Sequence, residues 1–164
     1  MDARRPDALE HAPFPHGDPD EREMLLQWLD YLRGTVLRKL AGLDDGQAHW
    51  RPHGGLLPVI GIVNHLTHVE WRWIDGVMRG QDVSRTDEEF WPPAALTASA
   101  ARSAYVERAR QTNQFVRSRG LADVPATADA PDLRWVLIHL VNETARHAGH
   151  ADATRQLLDG STGE

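Results

Sequence analysis

Residues 142–150 read NETARHAGH, which sets Glu143, His147 and His150 inside what reads as one amphipathic helix from Leu133 to Leu158. The fold turns on which face those ionisable groups occupy. At about 100° per residue, with Glu143 at zero, Val136, Leu140, Ala151, Leu157 and Leu158 fall within about 80°. Arg134, Ala145, Asp152, Arg155 and Gln156 fall on the far side, at about 120° or beyond. His139, His147 and His150 lie within about 40° of Glu143. The ionisable stripe is therefore expected to face the core, where uncompensated charge is costly. Two compensations fit. One is a hydrogen-bonded network of Glu, His and Arg that specifies packing. The other is a metal ion, since Glu and His at i and i+4 chelate from one helix.

Working outward, Asp132 is a good N-cap for this helix and Gly160 a good terminator. Upstream, DPDERE at 18–23 predicts a helix start with Asp18 as cap and Pro19 at the first position. Met24, Leu25, Trp28, Leu29, Leu32, Val36 and Leu40 then recur at helical spacing. Residues 41–58, rich in Gly, Pro and Asp, read as a loop. A second helix is expected from Pro58 to Arg79, stopping at Gly80, with an apolar stripe of Val59, Ile62, Leu66, Val69, Trp73 and Val77. Residues 81–96 form a long loop whose aromatics, in FWPPAAL at 90–96, are expected to cover something. A third helix fits Thr97 to Arg119, with Gly120 as its terminator. No segment alternates at period two, so the fold class is all-α, an antiparallel four-helix bundle over residues 18–160. Residues 1–17 read as a flexible N-terminal arm and 161–164 as a tail.

Composition narrows the function. The chain of 164 residues is one domain's length, with 41% hydrophobic and 26% charged residues. Net charge is −6 and no basic cluster exceeds Arg4–Arg5, which argues against a nucleic-acid surface. There is no cysteine, so the chain supplies neither a catalytic thiolate nor a Cys-type zinc site. The longest apolar run, GGLLPVIGIV at 54–63, is too short and broken to span a bilayer. No signal peptide is evident, so the cytoplasm is the expected compartment.

A metal on the last helix needs a third ligand from elsewhere. In NHLTHVEWRW, residues 64–73, His65 lies at the edge of the apolar stripe beside Val69 and is the better candidate. His68 falls among Asn64, Arg72, Asp75 and Arg79 on the polar face and is expected to be solvated. Glu70 lies inside the apolar stripe, either supporting the site or making an ordinary interhelical hydrogen bond. His11, His16, His49 and His53 carry no spacing signal and are expected at the surface.

The segments GIVNHLTHVEWRW (61–73) and RWVLIHLVNETARHAGHADATRQLLDG (134–160) resemble the DinB-like four-helix-bundle superfamily, over about residues 20–160. The similarity is to its actinobacterial mini-circle-type branch, related to the metal-binding domains of mycothiol-dependent maleylpyruvate isomerases. The resemblance implies a divalent metal, zinc or nickel, held by one His of the second helix and an i, i+4 pair of the last. Those positions are His65, Glu143 and His147, the last two matching the Glu-xxx-His of the isomerases where many relatives carry His-xxx-His. His150 then becomes a pocket-lining residue. The resemblance also implies chemistry with a low-molecular-weight thiol such as mycothiol or bacillithiol, acting on a small-molecule substrate, and a possible homodimer.

Three functions are thus open: a metal-dependent thiol S-transferase or isomerase, a non-enzymatic binding protein for metal or small ligand, and a metal-water hydrolase. The missing cysteine suits the first, because its thiol comes from outside the chain. Three protein ligands leave a coordination position open, as catalytic sites require.

Overall fold

The computed structural model describes residues 7–125 and 130–163; positions 1–6 of the expected arm and 126–129 of the last loop lie outside the described residues. The helices are α1 (Asp7–Glu10), α2 (Glu21–Leu40), α3 (Asp45–Ala48), α4 (Val59–Trp71), α5 (Ala98–Arg117) and α6 (Leu133–Asp159). Among the described residues there is no strand. The long helices α2, α4, α5 and α6 form the four-helix bundle.

Local chemistry sets most ends. Asp132 caps α6 by accepting from the Trp135 N–H at 2.9 Å, and Gly160 closes it in the left-handed region at φ 79°. Thr97 caps α5 through the Ala100 N–H. Two ends differ from expectation. The cap of α2 is Asp20 rather than Asp18, because Asp20 reaches the N–H groups of Arg22 and Glu23 while Asp18 is engaged by Asp20 and Gln27. Helix α5 stops at Arg117, and Gly120 gives its N–H to Asp123 instead of terminating the helix. Two stretches expected to be irregular hold short helices. In the 41–58 loop, Asp44 and Gln47 form a reciprocal capping box that nucleates α3. In the N-terminal arm, α1 docks on α2 and α5: Arg38 of α2 donates to the Glu10 carbonyl at 2.6 Å, and Arg102 of α5 pairs with the Glu10 carboxylate at 2.8 Å.

Helix α4 continues as a π-helical segment, Arg72–Met78. Widening the turn shifts the phase, so Ile74 and Asp75 turn inward where unbroken α spacing points Trp73 and Val77. Asp75, expected on the polar face, is buried between Arg108 at 2.6 Å and Arg79 at 3.1 Å.

Ion pairs at the bundle's two ends give the helix directions. Arg134–Glu21 at 2.7 Å and Arg117–Glu23 at 2.9 Å bring together the starts of α2 and α6 and the end of α5. At the other end, Lys39 pairs with Asp152 at 2.6 Å, and Thr154 donates to the Leu57 carbonyl at 2.9 Å. Helices α2 and α6 therefore run one way, and α4 and α5 the other. Because α4 and α5 are consecutive yet parallel, the chain between them must cross the bundle's full length. Residues 80–97 do this alongside α4. Asn64 donates to the carbonyls of Glu88 and Glu89 at 3.2 and 3.0 Å, and His49 contacts the Leu96 carbonyl at 2.8 Å. Gly61 makes the close approach possible: a methyl there would lie 2.2 Å from the Phe90 carbonyl oxygen. The core divides into two clusters, one built around Val36, Ile62 and Leu66, the other around Leu29, Ile74 and Leu137.

Candidate metal centre

Two helices and the crossover meet at His65. Antiparallel packing of α4 on α6 sets His65 opposite Glu143 and His147, which stand one turn apart on α6. His65 Nε2 lies 3.4 Å from Glu143 Oε1, and His147 Nε2 lies 3.3 Å from the same oxygen. One ligand atom from each of the three lies within 4.8 Å of the others. His65 is 3% exposed and His147 is 6%, whereas the Glu143 side chain keeps 19% and opens onto solvent. The crossover closes the far side: Phe90 stacks on His65 with ring centroids 4.2 Å apart, and Glu89 Oε2 lies 3.3 Å from His65 Nδ1. The other oxygen of Glu89 accepts from Arg72, one of the first π-segment residues. Beside this cluster is a cavity of about 360 Å³, walled by Arg72, Trp73, Val77, Arg85 and His139.

The donor set fits a cation on proton bookkeeping. A neutral imidazole carries one N–H. If His65 donates from Nδ1 to Glu89, its Nε2 lone pair faces the Glu143 carboxylate; the other tautomer only moves the mismatch to Glu89. Protonating both nitrogens is opposed by burial, which pushes the His65 pKa down against the pull of Glu143 and Glu89. Burial, reinforced by the His65 ring, drives His147 down to about 4, so it too is neutral near pH 7. His147 Nδ1 is buried without a partner. Glu143 is ionised: burial works against its charged form, but the donors around it, His65 first, leave its pKa lowered. Three nitrogen–carboxylate contacts thus share only two N–H groups, so a lone pair is left facing a carboxylate, and two imidazole nitrogens with a carboxylate are the donors a divalent ion takes. Glu89 then occupies the place of a carboxylate that orients a ligating histidine through its second nitrogen.

The remaining residues singled out in the sequence scatter. The buried stripe of α6 is centred near Leu140 and Thr144, about 80° round from Glu143. The wheel centred on Glu143 was therefore displaced: Glu143 and His139 are half-buried, and Leu157 and His150 are exposed. His150 still touches the cluster, its ring edge-on to His147 at 5.2 Å. His139 packs between Trp73 at 4.7 Å and Trp135 at 5.3 Å. Glu70 is not a pocket residue. Both its oxygens accept from Arg33, at 2.8 and 2.6 Å, so it makes the interhelical bond that was the alternative reading. His68 is half-buried and its Nδ1 contacts the Asn64 carbonyl at 2.8 Å. His49 is likewise half-buried, while His11, His16 and His53 are exposed. The aromatic loop does cover something, since Phe90 lies on His65. The residue the sequence concealed is Glu89. An acidic residue in DEEF reads as solvated surface, and nothing local marks it as 1% exposed beside Arg72.

A family model described as mycothiol-S-transferase matches residues 24–160. The chain belongs to the mycothiol-S-transferase family. That family is DinB-like, and its matched span contains His65, Glu89, Glu143 and His147. Among solved structures, the chain is similar to a conserved protein of Enterococcus faecalis, with a TM-score of 0.67 and 15% identity over 88% of this chain and 100% of that one. At that identity the likeness shows the shared fold. No curated protein matches the chain. Among the described residues, no helix is long and apolar enough to cross a membrane.

Proposed function

We propose that the chain is a divalent-metal-dependent S-transferase that joins a mycothiol-type low-molecular-weight thiol to a small electrophile. The observation that carries this reading is the convergence of His65 Nε2, His147 Nε2 and Glu143 Oε1 at the wall of an open cavity, inside a mycothiol-S-transferase match. His65, Glu143 and His147 hold the ion, with zinc and nickel suited to two imidazoles and a carboxylate. Held there, a divalent ion supplies Lewis acidity that lowers the pKa of a thiol presented to the cavity.

The chain's own residues do the rest. Glu89 fixes the His65 ring with Nδ1–H toward itself, and Arg72 holds Glu89 in place. Phe90 covers His65 and excludes water from that side. Glu143 brings a negative charge that a third imidazole would not, so the site is less electrophilic than an all-histidine one. In the overall reaction with an alkyl halide, the thiolate sulfur forms the S–C bond, halide leaves with the C–halide electron pair, and the thiol proton passes to solvent.

The test is turnover of an alkyl halide by the purified, metal-analysed protein with mycothiol, bacillithiol, glutathione or no thiol. Thiol-dependent consumption that disappears on chelation is expected. Equal consumption without thiol would make the protein a hydrolase, and none under any condition would make it a binding protein.

A further inference from the structure

The cavity beside the cluster holds two guanidinium groups of different standing. Arg72 is committed, its charge matched by the buried Glu89. Arg85, on the crossover, lines the same cavity and pairs with no carboxylate among the described residues, although Asp82, Asp87 and Glu88 follow or precede it in sequence and are exposed. Arg85 is itself exposed, and among the described residues it meets an aromatic face: the guanidinium carbon lies 5.5 Å from the Phe90 ring centroid. Phe90 in turn stacks on His65 at 4.2 Å. The two separations added, 5.5 Å and 4.2 Å, keep the Arg85 guanidinium within 9.7 Å of the His65 ring. A planar cation is thus held by ring contact, with its N–H fork unspent, a few bonds' reach from the donor cluster.

We propose that the cavity receives an organic carboxylate, with Arg85 as the residue that captures it and so selects an anionic electrophile. This deepens the proposed transferase function and rests on it for the word electrophile; the binding itself does not. Charge within the cavity agrees. Arg72 and Arg85 balance Glu89 and Glu143, so a divalent ion leaves this cleft positive in a chain whose formal charge is −6. A carboxylate on Arg85 gains charge-assisted, two-point hydrogen bonds that a neutral isostere cannot match. Phe90 would then serve twice, packing on His65 inside and steadying Arg85 outside.

Titration of the full-length, ¹⁵N-labelled protein with butyrate and with butyramide, with and without one equivalent of zinc, tests this through the Arg85 Nε–H resonance. Butyrate should move that resonance saturably in both samples and butyramide should not. Arg85→Gln should weaken butyrate binding about tenfold, with Arg85→Lys intermediate and the melting temperature unchanged in both. Equal affinity for the acid and the amide would overturn the proposal, as would wild-type butyrate affinity in Arg85→Gln. Because the chelated sample needs neither metal nor thiol, failure of thiol-dependent turnover would leave this result standing, and the two readings can fall separately.

Discussion

Helix α4 carries two buried carboxylate partnerships, and they are built on opposite principles. Toward α2, Arg33 is enclosed by acceptors: both oxygens of Glu70, Asp30 at 2.6 Å and the Asn113 side-chain oxygen at 2.8 Å. Donors and acceptors there cancel, and the charged acids together hold the Arg33 pKa above its ordinary value against burial. Toward α6, His65 and His147 have two N–H groups for three contacts with Glu89 and Glu143, and one nitrogen is left without a partner. A network that satisfies itself is structural. One that lacks a cation is arranged to accept it.

Breaking the first network should have the largest effect on folding. Glu70→Leu strands the Arg33 guanidinium in the interior and is expected to cost about 3–5 kcal/mol in urea denaturation of the metal-free protein. A loss below about 1 kcal/mol would show that the two networks do not differ in kind.

His147→Ala should show the reverse signature. Metal stoichiometry by elemental analysis should collapse, while the chelated variant keeps helical circular dichroism close to that of the chelated parent. Full metal retention would remove His147 from the ligand set.

Gly61→Ala tests how far the cluster depends on the crossover. Alanine favours a helix by about 1 kcal/mol over glycine, yet its methyl would meet the Phe90 carbonyl at 2.2 Å. The clash should win, for a net loss of about 1–3 kcal/mol. Metal affinity should drop as well, by about 10–100-fold, because Glu89 moves off His65 with the crossover. A stabilised variant with unchanged affinity would mean that the strap is not seated on α4.

The two networks should also separate by pH. In the chelated protein, folded His147 stays neutral down to about 4, whereas the unfolded chain takes up that proton near the ordinary 6.5. Between those values the unfolded state binds more protons, so the His147 contribution to stability should fall as pH drops from about 6.5 to about 4 and level off beneath, where carboxylates with lowered pKa take over the loss. His65, shifted down in the same direction, adds to the slope. Arg33 stays charged throughout and contributes nothing to it. The slope should shrink in chelated His147→Ala. The smallest effect belongs to His150→Ala, which should retain full metal, since His150 is exposed and touches His147 only ring to ring.

Much of this was written along the chain. Periodicity marked the four long helices, and Asp132, Thr97 and Gly160 marked their ends, because capping and helical phase are settled by neighbours within a turn. The pairing of Glu143 with His147 was legible for the same reason, since four residues bring a side chain back to one face. The choice of His65 over His68 also followed from phase. What periodicity could not carry was direction and depth. Two parallel consecutive helices and two antiparallel ones present the same apolar spacing, so the crossover, and Glu89 with it, is invisible locally. The π-turn after Trp71 rotated Asp75 inward, and the buried stripe of α6 settled about 80° from where an isolated wheel put it. Glu70 found its partner 37 residues away on α2. The sequence by itself determined which elements form and which donors share a face. Only the tertiary structure decided which carboxylate was neutralised by arginine and which was left to meet two histidines, because that depends on which helices become neighbours.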